Sequence, residues 1–310
     1  MDLPDQKLYN LPADAVWFIT GCSSGLGQSL AQLISKHATH RLVATARRPS
    51  AMSMIPDGPN VLKLALDVTS QDSVDTATAA VLDKFGRIDV LVNNAGYSVM
   101  GDSESTTDEQ ARQVVETDFW GTVKLTLQAM RIMREENPKT GSCGGVVMNI
   151  TSVGGFIGLP GSAFYSASKF AVEGFTESVS QEVRPEWNIH FCLIEPGGIA
   201  TRFTGSMVRT ASHPAYAAAD SPARVLETYI LNEDNQKTWS SPESVSAGMY
   251  EVVSRGQRIP LRVPLGPDAW GLVKEEIKHI DQDLDELKDL SCRVGSAQQF
   301  ESIQFLRKAN

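Results

Sequence analysis

Short apolar runs rich in β-branched residues recur along the chain at 15–20 (AVWFIT), 41–46 (RLVATA), 61–66 (VLKLAL), 88–93 (IDVLVN), 145–151 (GVVMNIT), 189–194 (IHFCLI) and 259–264 (IPLRVP). Most lack polar alternation, the pattern of strands buried on both faces of a sheet. The segments 26–36, 73–85, 108–135 and 164–184 between them are long enough to be crossover helices joining parallel strands. This order predicts an α/β chain, a doubly wound parallel sheet of about seven strands with helices on both faces.

Two stretches interrupt the rhythm. Residues 137–144 (NPKTGSCG) read as a surface loop, and residues 202–244 form a connection too long for an ordinary crossover, with scattered apolar residues, as substrate lids and binding loops do. Towards the end, Trp270, Val273, Ile277, Ile280, Leu284, Leu287 and Leu290 recur at spacings of three and four. They predict one amphipathic helix, introduced by Pro267 and Asp268 and packed on the body in preference to a partner.

No repeat or linker divides the 310 residues, so the expectation is one domain over 1–310, with its core at 14–265, a lid at 202–244 and a helical extension at 266–310. Hydrophobic residues make up 42% and charged residues 21%, which excludes disordered and collagen-like chains. The net charge of −9 disfavours nucleic acid as a partner. Cys22, Cys143, Cys192 and Cys292 stand far apart, without metal-ligand spacing, and read as free thiols. There is no apolar run of membrane-spanning length, and MDLPDQKLYN has no signal-peptide character. A cytoplasmic protein without metal is expected. The five histidines bear no relation to the motifs below.

The first run is followed by Thr20-Gly21-Cys22-Ser23-Ser24-Gly25-Leu26-Gly27 and then a helical pattern. Glycines there let the backbone turn sharply against a pyrophosphate, while the helix N-terminus supplies N–H donors. Placed between the first strand and the first helix, the turn points to a dinucleotide. The second run ends in Ala46-Arg47-Arg48, with no carboxylate to hold a ribose 2′-hydroxyl. Two arginines suit a 2′-phosphate, so NADP(H) is expected, with Arg47 as the first contact and Arg48 as the second.

Tyr165 and Lys169 stand four apart in YSASK, on one face of a helix. A phenol is a poor base near neutrality, and an adjacent ammonium favours its phenolate, so the pair is a candidate general acid/base. Ser152 adds a hydroxyl at the end of the fifth run, where open α/β sheets bind ligands. Together with Asn93-Asn94-Ala95-Gly96 after the fourth run and Pro196-Gly197 after the sixth, these motifs resemble the short-chain dehydrogenase/reductase family over residues 15–201.

The resemblance implies a Rossmann-type oxidoreductase in which Tyr165 exchanges the substrate proton, Lys169 lowers the tyrosine pKa and binds the nicotinamide ribose, and Ser152 holds the substrate oxygen. It further implies that Gly21, Ser23, Ser24, Gly25, Leu26 and Gly27 cradle the phosphates, that Asp67 and Val68 contact adenine, and that Asn93, Ala95 and Gly96 flank the adenosine ribose. Pro196, Gly197, Ile199 and Thr201 would form the nicotinamide-side loop, with Ile199 offering backbone groups to the carboxamide and Thr201 its hydroxyl to the phosphates. Where the family has an asparagine three residues before a glycine, supporting a water chain to the lysine, this sequence has Asp118 before Gly121. An altered proton relay is expected, with turnover retained or raised in Asp118→Asn.

Arg47-Arg48-Pro49 and the PLGPDAW extension resemble the retinol and 17β-hydroxysteroid dehydrogenase-like branch, especially its fungal members, which implies a lipophilic ketone or alcohol. Tyr97, Met100, Phe156, Ile157, Leu159 and the 207–216 region are candidates for its pocket wall. A homodimer or homotetramer through the fourth and fifth helices follows from the same resemblance. A noncatalytic NADP-binding sensor or scaffold, and an isomerase or dehydratase of a biosynthetic pathway, are the alternatives on this fold.

Overall fold

A computed structural model describes residues 8–305 of the chain. Its main sheet has seven parallel strands: β1 (Val16–Ile19), β2 (Arg41–Ala46), β3 (Val61–Ala65), β4 (Val90–Asn93), β6 (Gly145–Ile150), β7 (Ile189–Pro196) and β9 (Arg262–Leu265). Two short strands, β5 (Val99–Met100) and β8 (Val208–Arg209), pair separately. The order β3-β2-β1-β4-β6-β7-β9 reverses direction between β1 and β4, and ligands of such sheets bind at that switch point.

The all-apolar strands are buried on both faces because helices cover both. Leu30 and Ile34 of α1 (Gly25–Ser35) join Val245 and Met249 of α9 (Pro242–Ser254) on one side. Val74 and Val81 of α2 (Gln71–Phe85), Leu125 and Ile132 of α4 (Gly121–Glu135) and Val179 of α5 (Ala163–Glu182) fill the other. A polar seam crosses this second layer: Asn93 donates to Asn149 Oδ1 at 2.8 Å and to Thr126 Oγ1 at 3.0 Å, and Asn149 donates to Thr176 Oγ1 at 2.9 Å.

The expected helix at 108–135 is interrupted. It comprises α3 (Asp108–Val115), a π-helical turn over Glu116–Trp120, and α4, with the Gly121 N–H reaching back five residues to Glu116 O. One inserted residue of this kind bulges a helix, commonly at a functional site. The 137–144 segment needs a correction as well. Pro138, Lys139 and Thr140 are exposed, but Asn137 is fully buried, because its amide ties Ile88 to Gly144 between two strand starts.

Residues 202–244 fold as α6 (Phe203–Ser206), β8, α7 (Pro222–Leu231) and α8 (Glu233–Gln236) before α9 begins. Asp102, just past β5, anchors this segment by accepting the His213 N–H at 2.9 Å and Arg224 Nη2 at 3.0 Å. The C-terminal expectation of one packed helix is corrected: α10 (Pro267–Glu286) ends at Leu287 and is followed by α11 (Lys288–Arg293) and α12 (Ala297–Ser302). Ala269 and Val273 pack on Val153, Phe156 and Ile157, whereas Trp270, Ile277, Ile280, Leu284, Leu287 and Leu290 are exposed. Among the described residues the helix's main contacts with the body lie near its start, at β9, the 153–155 turn and the loop at Gly198. The expected extension's last residues, 306–310, lie outside the described residues. Among the described residues no helix is long and apolar enough to cross a membrane.

Candidate active site

The sequence motifs converge at the C-terminal ends of the parallel strands. After β1, Gly21 and Gly25 adopt positive φ, +71° and +58°, where a side chain is strained. A Cβ on Gly21 would meet Ala95 Cα at 3.0 Å, and one on Gly27 would collide with Asn94 Nδ2 and Gly21 O. Ser24 precedes α1 in extended conformation without capping it, which leaves the first-turn N–H groups aimed outward. Such a cradle fits a pyrophosphate. Thr201 packs opposite Gly25 and accepts the Phe203 N–H at 3.2 Å. An open cleft of about 600 Å³ borders this side, lined by Gly25, Gln28, Thr201 and Arg202, away from Tyr165.

Arg47 and Arg48 are exposed beyond β2, and Arg47 lies close enough to act electrostatically on both Asp67 and Tyr97. Asp67 accepts the Thr69 N–H and hydroxyl, which with Arg47 hold its carboxyl below the usual range. Val68 is buried under Gly121, where a Cβ would strike it. The expectation for Asn93 changes: its amide turns into the polar seam, 3% exposed, so it shapes the crevice floor and does not reach a ribose by its side chain. Gly96 instead closes on Asp118, leaving no room for a Cβ larger than contact at 3.0 Å.

Ser152 follows β6, its Oγ accepting the Gly154 N–H at 3.1 Å. Tyr165 and Lys169 lie on the buried face of α5 with Val172, Glu173, Thr176 and Val179, at helical spacing. Lys169 Nζ stands 5.6 Å from the Tyr165 ring centroid, donates to Ile150 O at 3.2 Å and pairs with Asp118 Oδ2 at 3.2 Å. Burial raises the Tyr165 phenol; Lys169 and the Ser152 hydroxyl pull it down, and Asp118 pushes it back up, leaving it above its ordinary value. The expected lowering by Lys169 is therefore present but outweighed. Burial disfavours the Lys169 ammonium, yet Asp118 and Tyr165 more than offset this and raise it. Burial likewise raises Asp118, opposed by Lys169 and the Tyr97 N–H.

Several contacts had no local sequence signal. Asn94 donates to Thr20 O at 2.9 Å and locks the glycine turn, while Thr20 Oγ1 accepts the N–H groups of Asn94 and Ala95. Asp268, read only as a helix start, accepts the Gly198 N–H at 2.7 Å and packs where a Gly197 side chain would lie. That fixes the Pro196–Thr201 loop from 70 residues away, with Ile199 bridged to Ser240. Phe203 brings its ring to 6.2 Å from that of Tyr165. Of the proposed pocket wall, Met100 is 1% exposed and belongs to the interior, and Phe156 and Ile157 pack towards α10. Tyr97 packs on the small cluster of Val99, Val114 and Tyr165.

A family model described as short chain dehydrogenase matches residues 15–212, and the chain belongs to that family, the short-chain dehydrogenases/reductases, whose members are oxidoreductases. It is 46% identical to the oxidoreductase calM of the fungus Penicillium decumbens over 94% of this chain and 97% of the other, and its likeness is of fungal type. It is 30% identical to retinol dehydrogenase 8 of Bos taurus over 79% of each chain. A solved short-chain dehydrogenase from Streptomyces avermitilis superposes with a TM-score of 0.77 at 30% identity, covering 91% of this chain and all of that one. These support the Rossmann-type, doubly wound sheet with C-terminal helices.

Proposed function

We propose that this chain is an NADP(H)-dependent ketoreductase or alcohol dehydrogenase acting on a lipophilic carbonyl compound or secondary alcohol. The observation that carries the reading is the convergence of Ser152, Tyr165 and Lys169 at the sheet edge beside the glycine cradle. When bound, the nicotinamide supplies or accepts the hydride at the substrate carbon. Ser152 orients the substrate oxygen, Tyr165 gives or takes its proton, and Lys169 carries the positive charge that stabilises the phenolate. Arg47, exposed and without an ion pair among the described residues, supports a 2′-phosphate over a 2′-hydroxyl. Phe203 against Tyr165, and Tyr97 on the cluster that Tyr165 shares with Val99 and Val114, favour an apolar substrate, with residues 202–244 as its lid. Exposed Trp120, Leu127 and Phe170 on α4, α5 and the turn before α4 support a homodimer or homotetramer through those helices, and a cytoplasmic setting suits the cofactor.

The test is NADPH consumption against a panel of lipophilic ketones, with Tyr165→Phe as control. Turnover in the parent and loss of at least about a hundredfold in the variant are expected. Dinucleotide binding without turnover on any ketone would replace this reading with a sensor, and conversion without net cofactor oxidation with an isomerase.

A further inference from the structure

Asp118 occupies the middle of the π-helical turn and is fully buried. Its Oδ1 accepts the Tyr97 N–H at 3.1 Å, and its Oδ2 faces Lys169 Nζ at 3.2 Å outside ideal hydrogen-bond angles. A lone lysine beside a phenol contributes one unscreened positive charge and draws the phenol towards phenolate. A carboxylate paired with that lysine opposes its field at the phenol, because neither ion is exposed enough for solvent or salt to screen it.

The surrounding groups do not restore the lost charge. Tyr97, from the segment after β4, is itself raised by burial and by Asp118. Arg47, beyond β2, acts on Tyr97 and Asp67 from the exposed rim. Ser152, after β6, is neutral. Glu173, one turn along α5 from Lys169, is bound to Arg262 of β9. Tyr165 thus faces a lysine–aspartate pair in place of a free cation.

We propose that Asp118 is a positioning residue that holds Lys169 as half of a neutral buried pair, favours the protonated form of Tyr165, and so sets the alkaline rise of alcohol oxidation at a higher pH than an unpaired lysine would. The inference rests on Tyr165 as the general acid/base. In reduction, hydride from a reduced nicotinamide dinucleotide forms the new C–H bond, the carbonyl π pair moves to oxygen, and the Tyr165 proton passes to that oxygen. The resulting phenolate recovers a proton from solvent. In oxidation the alcohol O–H and C–H bonds break, and Tyr165 must be a phenolate beforehand, the form that the neutral pair disfavours. The elevated Tyr165 phenol and Lys169 ammonium accord with this arrangement.

The experiment compares the full-length wild type with Asp118→Asn, using NADP(H) and one ketone–alcohol pair from the panel, from about pH 6 to about pH 11. Asp118→Asn is expected to shift the alkaline rise of alcohol oxidation down by about one pH unit, raising oxidation about tenfold below that rise. Because both directions share one transition state, kcat/KM for ketone reduction at the same pH should rise with it, so that the ratio of the two directions stays fixed at each pH. A readout without turnover accompanies it: ultraviolet phenolate titration of each protein minus its Tyr165→Phe counterpart, where Asp118→Asn lowers the Tyr165 midpoint. Asp118→Ser serves the same comparison if the asparagine variant does not fold. Superimposable pH profiles and titration midpoints overturn the inference. If Tyr165→Phe keeps its activity, the functional reading itself fails; if Tyr165→Phe is inactive and Asp118→Asn moves nothing, only the role of Asp118 falls.

Discussion

Arg47 leaves β2 exposed and acts electrostatically on Asp67 and Tyr97, on the side where the proposed function would put the adenosine end of a dinucleotide. A guanidinium there binds a phosphate monoester through charge-assisted hydrogen bonds, each worth roughly 1.5–3 kcal/mol. Arg47→Ala is therefore expected to raise KM for NADPH by about tenfold to a hundredfold and to leave that for NADH within about threefold. Initial rates with both dinucleotides measure this, and equal losses with the two would assign Arg47 to fold or solubility. Its exposed place just past β2 was legible because the second apolar run ends at Ala46. Asp118 was legible as a substitution, and the family resemblance tied it to Lys169, 51 positions away on another helix; the direct pairing at 3.2 Å, in place of a water chain, was not legible, because a helical pattern carries no distance between two helices.

Elements were legible where one local rule governs them. The seven main strands sit where the apolar runs put them, because burial of the inner strands on both faces leaves no polar alternation to blur the pattern, while the edge strands β3 and β9 are only partly buried. The π turn was invisible because one inserted residue shifts a helical period without breaking it. The stripe from Trp270 to Leu290 misled for a different reason: periodicity shows that a helix has an apolar face but not whether the body extends beneath it. At the glycine cradle, the close contacts make a prediction. Gly27→Ala forces Asn94 or the Gly21 carbonyl to move, and overpacking of this kind costs about 1–3 kcal/mol. The expected result is a lower Tm together with at least about tenfold weaker dinucleotide binding by fluorescence titration. Gly205→Ala, with open space around its Cβ, should change neither.

At the scale of the whole molecule, a buried group that the proposed chemistry does not use should make stability depend on pH. Glu195 of β7 is fully buried, and Arg262, already paired with Glu173 and Glu177, stands 3.5 Å from it. Burial lifts its carboxyl to about 7, whereas an unfolded glutamate titrates near about 4.3. Below the unfolded value both states hold the proton. Between that value and about 7 the unfolded chain gives it up while the fold retains it, so stability falls as pH rises through this window. Glu195→Gln should remove the dependence and leave the variant about 1–3 kcal/mol more stable than the parent near pH 8, with little gain near pH 4. Urea unfolding at the two pH values tests it, and equal differences at both would place the effect in packing.

The polar seam beneath the site bears on how the sheet assembles. Asn93 and Asn149 lie opposite one another in the pairing of β4 with β6. Side chains alternate faces along a strand, so a slip of one residue would turn Asn93 to the other layer and leave Asn149 without its partner among apolar side chains. An unmet buried amide costs about 1–3 kcal/mol, comparable to a sizeable share of the net stability of a domain. The seam therefore penalises a misaligned sheet. Two adjacent asparagines that read together as a cofactor signature divide the labour: Asn94 braces the glycine turn, and Asn93 ties together the strands beneath it in register.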